Sequence, residues 1–273
     1  MNNVDASPRI PRWLAGAVAV FAVIVLFVWM ESTPPGIDGK IDAVGYAICH
    51  RIPARSFLIN GMPMPLCARC TGIYLGVMTS FLIAVASGRT KVSRLPPIRV
   101  LVALGLFVVV MGLDGINSYI HLFPGGTGVY EPHNWLRLVT GMYCGVALFN
   151  FIFPIFNNIV WRNADPGRNL NSARELLGVC AVCACVIVLV LTERPVFLWV
   201  FGVLSTIGVA MMLTMIGTVL FLTVFRLDKF ATRWQHLAIP LLAGLTIALI
   251  EVGAIDMLRL ALTGTWNGFP LGG

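Results

Sequence analysis

Trp13–Met30 reads WLAGAVAVFAVIVLFVWM, eighteen consecutive residues without a charge. As a helix it rises about 27 Å, close to the roughly 30 Å of a bilayer's hydrocarbon core. Arg9 and Arg12 precede it, as they would in a signal peptide. The run is long for a signal core, however, and ends in Trp29-Met30-Glu31 rather than a small-x-small cleavage site, so it reads as an uncleaved first span. Working outward, further apolar runs cover 71–88, 98–121, 134–160, 173–192, 196–225 and 236–263, giving seven spans with 13–31 as the first. Pro34-Pro35-Gly36, Pro96-Pro97, Pro124-Gly125-Gly126 and Pro166-Gly167 punctuate the joints.

Composition agrees with this reading. The chain is 58% hydrophobic and 11% charged, against about a quarter charged in soluble domains, and its mean hydropathy is +0.87. The expected fold class is all-α, a polytopic membrane helix bundle forming one integral membrane domain over residues 1–273. Within it, 32–70 is a Cys/His/Arg loop, 71–160 supplies the helices that complete a polar site, and 173–263 adds three further spans. The tail from Thr263 to Gly273 is expected to be short and loose.

The net charge of +7 is no nucleic-acid footprint, because the basic residues sit in short loops where insertion explains them. Arg9, Arg12, Arg89, Lys91, Arg94, Arg99, Arg162, Arg168, Arg174, Arg226, Lys229 and Arg233 fall on one side. Lys40, Arg51, Arg55, Arg69, Arg194 and Arg259 fall on the other. The richer side faces the cytoplasm, which predicts N-in and C-out and places the 32–70 loop on the extracytoplasmic face.

That loop ends in Cys49–Tyr74, CHRIPARSFLINGMPMPLCARCTGIY. Thiols, an imidazole and three arginines crowd there, and such groups are costly near hydrocarbon unless paired, bound or hydrated. Insertion does not call for Arg51, Arg55 and Arg69 on this side. They either cap lipid headgroups or form a preformed site for phosphate or carboxylate. Asp114, Asn117 and His121 share one face at the end of span three, and Asn134, Arg137, Gly141 and Cys144 one face of span four. Arg137 reads as the counter-ion of Asp114, and Asp256 with Arg259 as a pair on span seven. Glu251 lies nearer mid-membrane without a local partner. Cys180, Cys183 and Cys185, in an apolar run of Val, Ala and Leu, read as small packing residues.

Three chemistries fit the Cys49–Cys70 island. The first is a metal site, zinc first and iron second, on Cys49, Cys67 and Cys70 with His50, His121 or His133 as fourth ligand. The second is quinone-linked thiol-disulfide exchange at Cys67/Cys70, as in membrane disulfide-generating bundles. The third is a zinc or disulfide that only pins the loop of a structural protein or transporter. The first is preferred, with Arg51, Arg55, Arg69, Asn134 and Arg137 binding an anionic lipid or lipid-linked substrate. In an enzymatic version Asp114 or His121 moves the proton and Arg137 assists.

The runs Cys49-His50-Arg51, Arg55-Ser56-Phe57 and Pro65-Leu66-Cys67-Ala68-Arg69-Cys70-Thr71-Gly72-Ile73-Tyr74-Leu75-Gly76 resemble the signature of predicted prokaryotic membrane proteins catalogued as domain of unknown function 2085. Asp114-Gly115, Asn134-x2-Arg137 and Thr140-Gly141 are also similar to its pattern. The resemblance covers about residues 40–150. It implies a polytopic membrane protein but no particular activity.

Overall fold

The computed structural model describes residues 10–123 and 125–267; Arg9, Pro124 and residues 268–273 of the tail lie outside the described residues. Eight α-helices follow in order: α1 (Arg12–Ser32), α2 (Gly36–Ile48), α3 (Ala68–Ala86), α4 (Ile98–Ile120), α5 (Asn134–Val160), α6 (Ala173–Leu191), α7 (Pro195–Val224) and α8 (Ala238–Thr263). All but α2 are long and apolar enough to cross a membrane, so the chain is an all-α polytopic membrane bundle with seven spans. α3 and α5 are the most enclosed of these, while α1, α4 and α6 turn much of their surface outward.

The centre of the bundle rests on glycine. Gly72 and Gly76 of α3 face Gly141 and Gly145 of α5. A Cβ at each would lie 2.3 Å from Leu138 O, 2.1 Å from Met142 O, 2.3 Å from Arg69 O and 1.9 Å from Ile73 O, respectively. Each pair is a small-xxx-small spacing, which lets two backbones approach where no hydrophobic effect drives helices together. The polar ends of α3 and α5 are thereby held in one register. Gly145→Leu is expected to cost at least about 1–3 kcal/mol. It should also separate the polar ends, read as lowered unfolding free energy in detergent; wild-type stability would show that the approach is dispensable.

The 32–70 segment has more structure than a loop. α2 begins after Pro34-Pro35 and carries Asp38 in its first turn, where the helix dipole favours an anion. A 3-10 turn spans Pro53–Arg55, followed by a hairpin of β1 (Leu58–Ile59) and β2 (Met62–Pro63). Asn60 and Gly61 both have positive φ, 51° and 85°, as a two-residue hairpin turn of this kind requires. Gly45 of α2 sits against Pro65, where a Cβ would be 2.1 Å from its carbonyl oxygen. That contact brings the end of α2, and with it Cys49, onto the start of α3. At the other end, β3 (Val92–Arg94) pairs in parallel with β4 (Asp165–Arg168).

Span ends match the expected ones to within three residues. The largest shift matters, because α3 starts at Ala68 rather than Thr71. Arg69 and Cys70 therefore ride on the helix instead of the loop, and Cys67 is its N-cap.

Candidate metal centre and anion pocket

Cys49 closes the C-terminus of α2, donating its backbone N–H to Gly45 O at 2.9 Å. Cys67 and Cys70 occupy the first turn of α3. The three sulfurs lie within 4.8 Å of one another. A zinc ion with Zn–S bonds of about 2.3 Å sets tetrahedral sulfurs about 3.8 Å apart. Three thiols already this close fit a soft cation after a small contraction. The Cys67 N–H donates to Cys49 Sγ at 3.2 Å. Hydrogen bonds from Cys67 and Cys70 hold the Cys49 thiol down to about 2, while donating to Cys49 pushes Cys67 up to about 12. A metal bound by all three sulfurs would displace their thiol protons on binding.

His50 is a neighbour of this cluster. Its Nδ1 accepts from the Ile52 N–H at 2.9 Å. A backbone N–H can only donate, so in the neutral ring the proton is on Nε2 and no lone pair there faces a metal. Burial holds His50 below its ordinary range; the Cys49 charge opposes this, and Arg55, Arg137 and Arg69 add to it. Among the described residues His121 is not one of the groups clustered with the sulfurs, and its Nδ1 lies 2.9 Å from Asn117 O. His133 is the N-cap residue of α5.

Beside the thiols, three guanidinium groups converge on Ser118, a fully buried residue of α4. Arg55 donates to Ser118 O at 2.8 Å, Arg69 to Ser118 Oγ at 3.0 Å and Arg137 Nε to the same Oγ at 3.4 Å. Asp114 is the carboxylate among them. It is buried, ion-pairs with Arg69, and accepts from Tyr130 Oη at 2.8 Å and Thr140 Oγ1 at 3.4 Å. Arg69, not Arg137, is therefore its direct partner. The expectation placed Arg69 in a loop, and the early start of α3 carries it to α4 instead. Arg137 instead donates to Asn134 Oδ1 at 2.8 Å, and Asn134 donates to Ala54 O at 3.3 Å, tying α5 to the 3-10 turn. Arg69 Nε is buried with no hydrogen-bond partner among the described residues. Burial and the Arg69 charge push Arg55 down, and Cys67 opposes them. Three cations against one carboxylate leave room for an anion.

Ser118 and Tyr130 were not singled out from sequence. Ser118 is four residues after Asp114 on the same helix face, a readable signal; Tyr130 returns from a loop through Asn117, which donates to Tyr130 O at 2.8 Å and accepts from Val129 N at 2.7 Å. Arg51 pairs with Asp42 at 3.0 Å rather than joining the arginines that meet at Ser118. Glu251 lies exposed on the outer surface of α8. Arg259 turns back to donate to Tyr46 O at 2.5 Å, Cys49 O at 2.6 Å and His50 O at 3.1 Å, and stacks 4.0 Å from the Tyr46 ring. It thereby satisfies carbonyls left open at the end of α2 and fixes the backbone of Cys49. Cys183 is packed in the core with Leu176 and Val179; among the described residues, the α6 cysteines belong to no cluster of metal-ligating groups.

A family model described as predicted membrane protein (DUF2085) matches residues 49–151. An uncharacterized protein of Methanocaldococcus jannaschii is 33% identical over 120 residues, which cover 44% of this chain and 70% of that protein. An uncharacterized protein of Methanothermobacter thermautotrophicus is 38% identical over 101 residues, covering 37% of this chain and 80% of that protein. No solved structure matches. The matched segment contains the three clustered cysteines, Asp114, Ser118 and the convergent arginines; Arg259 lies beyond it.

Proposed function

The chain belongs to the DUF2085 family of predicted membrane proteins, and from that premise we propose that it binds an anionic lipid or lipid-linked headgroup beside a soft metal ion. Cys49, Cys67 and Cys70 hold the metal, zinc first and iron second, on the extracytoplasmic face of a prokaryotic cytoplasmic membrane. The observation that carries this is the juxtaposition of three mutually close sulfurs with three guanidinium groups meeting at Ser118. The face follows from the bias of basic residues toward the opposite loops.

Three protein thiolates leave a fourth coordination position, the pattern of catalytic rather than purely structural zinc. Bound there, zinc would supply Lewis-acid polarisation of a phosphoryl or carbonyl oxygen. Arg55 and Arg137 orient the anionic group, the His50 Nε2–H donates to it, and Asp114 keeps Arg69 in place. Asp114 is well placed for a proton through Tyr130 Oη.

Elemental analysis with thiol counting tests the metal. About one zinc per chain, with the three clustered thiols reacting only after chelation, supports the reading. Binding of phosphatidylglycerol tests the pocket. Each charge-assisted bond is worth about 1.5–3 kcal/mol, so Arg55→Ala and Arg137→Ala should each weaken it about tenfold or more. Unchanged binding in the double variant sinks the anion pocket. A second reading, quinone-linked thiol-disulfide exchange, is favoured by Cys49 lying within reach of both Cys67 and Cys70, whose hydrogen bonds lower its pKa toward the thiolate that exchange requires. A metal-free protein whose Cys67–Cys70 disulfide equilibrates with a quinone would replace the first reading by this one.

A further inference from the structure

Arg51 does not join the convergent arginines; it lines a separate cavity of about 450 Å³ where α2, the hairpin and α7 meet. That volume lies in the range of small-molecule sites, about 300–1,000 Å³. Neither Arg55, Arg69, Arg137, Asp114 nor Ser118 borders it. Arg51 is 9% exposed, and its Nε is enclosed with no hydrogen-bond partner among the described residues. Among the described residues its ion pair is with Asp42 at 3.0 Å, and that carboxylate is 42% exposed. Across the cavity Asp38 accepts from Trp199 Nε1 at 3.2 Å. Ile41, Ile59 and Val203 complete an apolar wall.

The charges select the ligand class. A simple anion attracted to Arg51 meets two carboxylates, and a simple cation attracted to the carboxylates meets a buried guanidinium. A molecule carrying an ammonium and an acidic oxygen group a few ångströms apart satisfies both. We infer that this cavity is a second binding site, for a zwitterion of the phosphoethanolamine kind. The ammonium lies between Asp38 and Asp42 by the Trp199 indole, whose face attracts cations. The acidic oxygens take the guanidinium of Arg51 where it lines the cavity, since its planar fork suits them. The apolar wall accepts the first carbons of an acyl-bearing molecule. Asp38, Asp42 and Trp199 lie outside residues 49–151, the stretch the family model matches. The site uses none of the residues of the metal and anion reading.

The test is titration of the purified full chain in neutral detergent with short-chain phosphatidylethanolamine, phosphatidylglycerol of the same chains, and free O-phosphoethanolamine. Saturable binding of phosphatidylethanolamine is expected, weakened at least tenfold by Asp42→Asn and by Arg51→Lys, and kept in the Arg55→Ala/Arg137→Ala variant. Asp38 is exposed, so Asp38→Asn provides a variant with little bearing on folding, and it should weaken the same binding. Free O-phosphoethanolamine binding as well as the lipid would support a soluble zwitterion as the ligand; binding of the lipid alone would support a headgroup. No saturable binding of either probe would overturn the inference. So would phosphatidylethanolamine binding that is indifferent to both aspartate substitutions.

Discussion

Asp114→Asn is expected to lower the unfolding free energy in detergent by about 3–5 kcal/mol, the range for removing one partner of a buried ion pair. Asp114 is 2% exposed and is the only carboxylate in contact with the arginines that meet at Ser118 among the described residues. Asparagine keeps the shape and can still accept from Tyr130. The loss therefore isolates charge, leaving buried Arg137 and half-buried Arg55 and Arg69 without an opposing one. Two further measurements separate this from a generic packing defect. Sulfate should stabilise Asp114→Asn more than wild type, since an anion that binds only the folded state adds RT ln(1 + [L]/Kd). Adding Arg69→Met should recover part of the loss, giving a coupling energy of about 0.5–3 kcal/mol in the double-mutant cycle. Wild-type stability in Asp114→Asn, with no response to sulfate, would show that the guanidinium groups do not depend on this carboxylate.

The fold was legible because membrane insertion writes itself into the sequence as length and apolarity, and seven runs of sufficient length could hardly be anything else. The site was legible in its residue types but not in its pairings. Asp114 and Arg137 were matched on depth, whereas Arg69 reaches Asp114 because α3 begins one turn earlier, with Cys67 as N-cap. Asp256 and Arg259 were matched on i,i+3 spacing, whereas Arg259 also reaches 46, 49 and 50, more than 200 residues away in sequence. No local pattern encodes a contact that depends on how α8 lies against α2. Other features were present and unread. The Gly72/Gly76 and Gly141/Gly145 spacings announce close helix approach. Asn60-Gly61 between short apolar runs announces a hairpin. Ser118 sits one turn beyond Asp114. The positions of Arg51 and His50 had no such signal. They are neighbours in sequence, yet one borders the Asp42 cavity and the other sits among the convergent arginines, and only the folded path of the Cys49–Ile52 segment separates them.

Cys49→Ala, Cys67→Ala and Cys70→Ala are each expected to reduce bound zinc from about one ion per chain to none. With only three thiols in the cluster, two are too few for a stable site. The same substitution at Cys183 should leave metal content unchanged, because that thiol is packed among apolar side chains. Stability supplies an independent readout. A metal present at 1,000 times its Kd contributes about 4.1 kcal/mol, so chelation should lower wild-type stability by an amount of that order. Cys49→Ala should begin near the chelated level and barely respond to chelator. His50→Ala discriminates further. If the imidazole were a ligand, metal would fall with it. The Ile52 N–H on Nδ1 places the ring proton on Nε2, so metal should persist while binding of the anionic headgroup weakens. Metal retained in all three cysteine variants would remove the thiol cluster from the site, whereas metal lost in His50→Ala would mean that the ring turns away from Ile52 to complete the coordination shell.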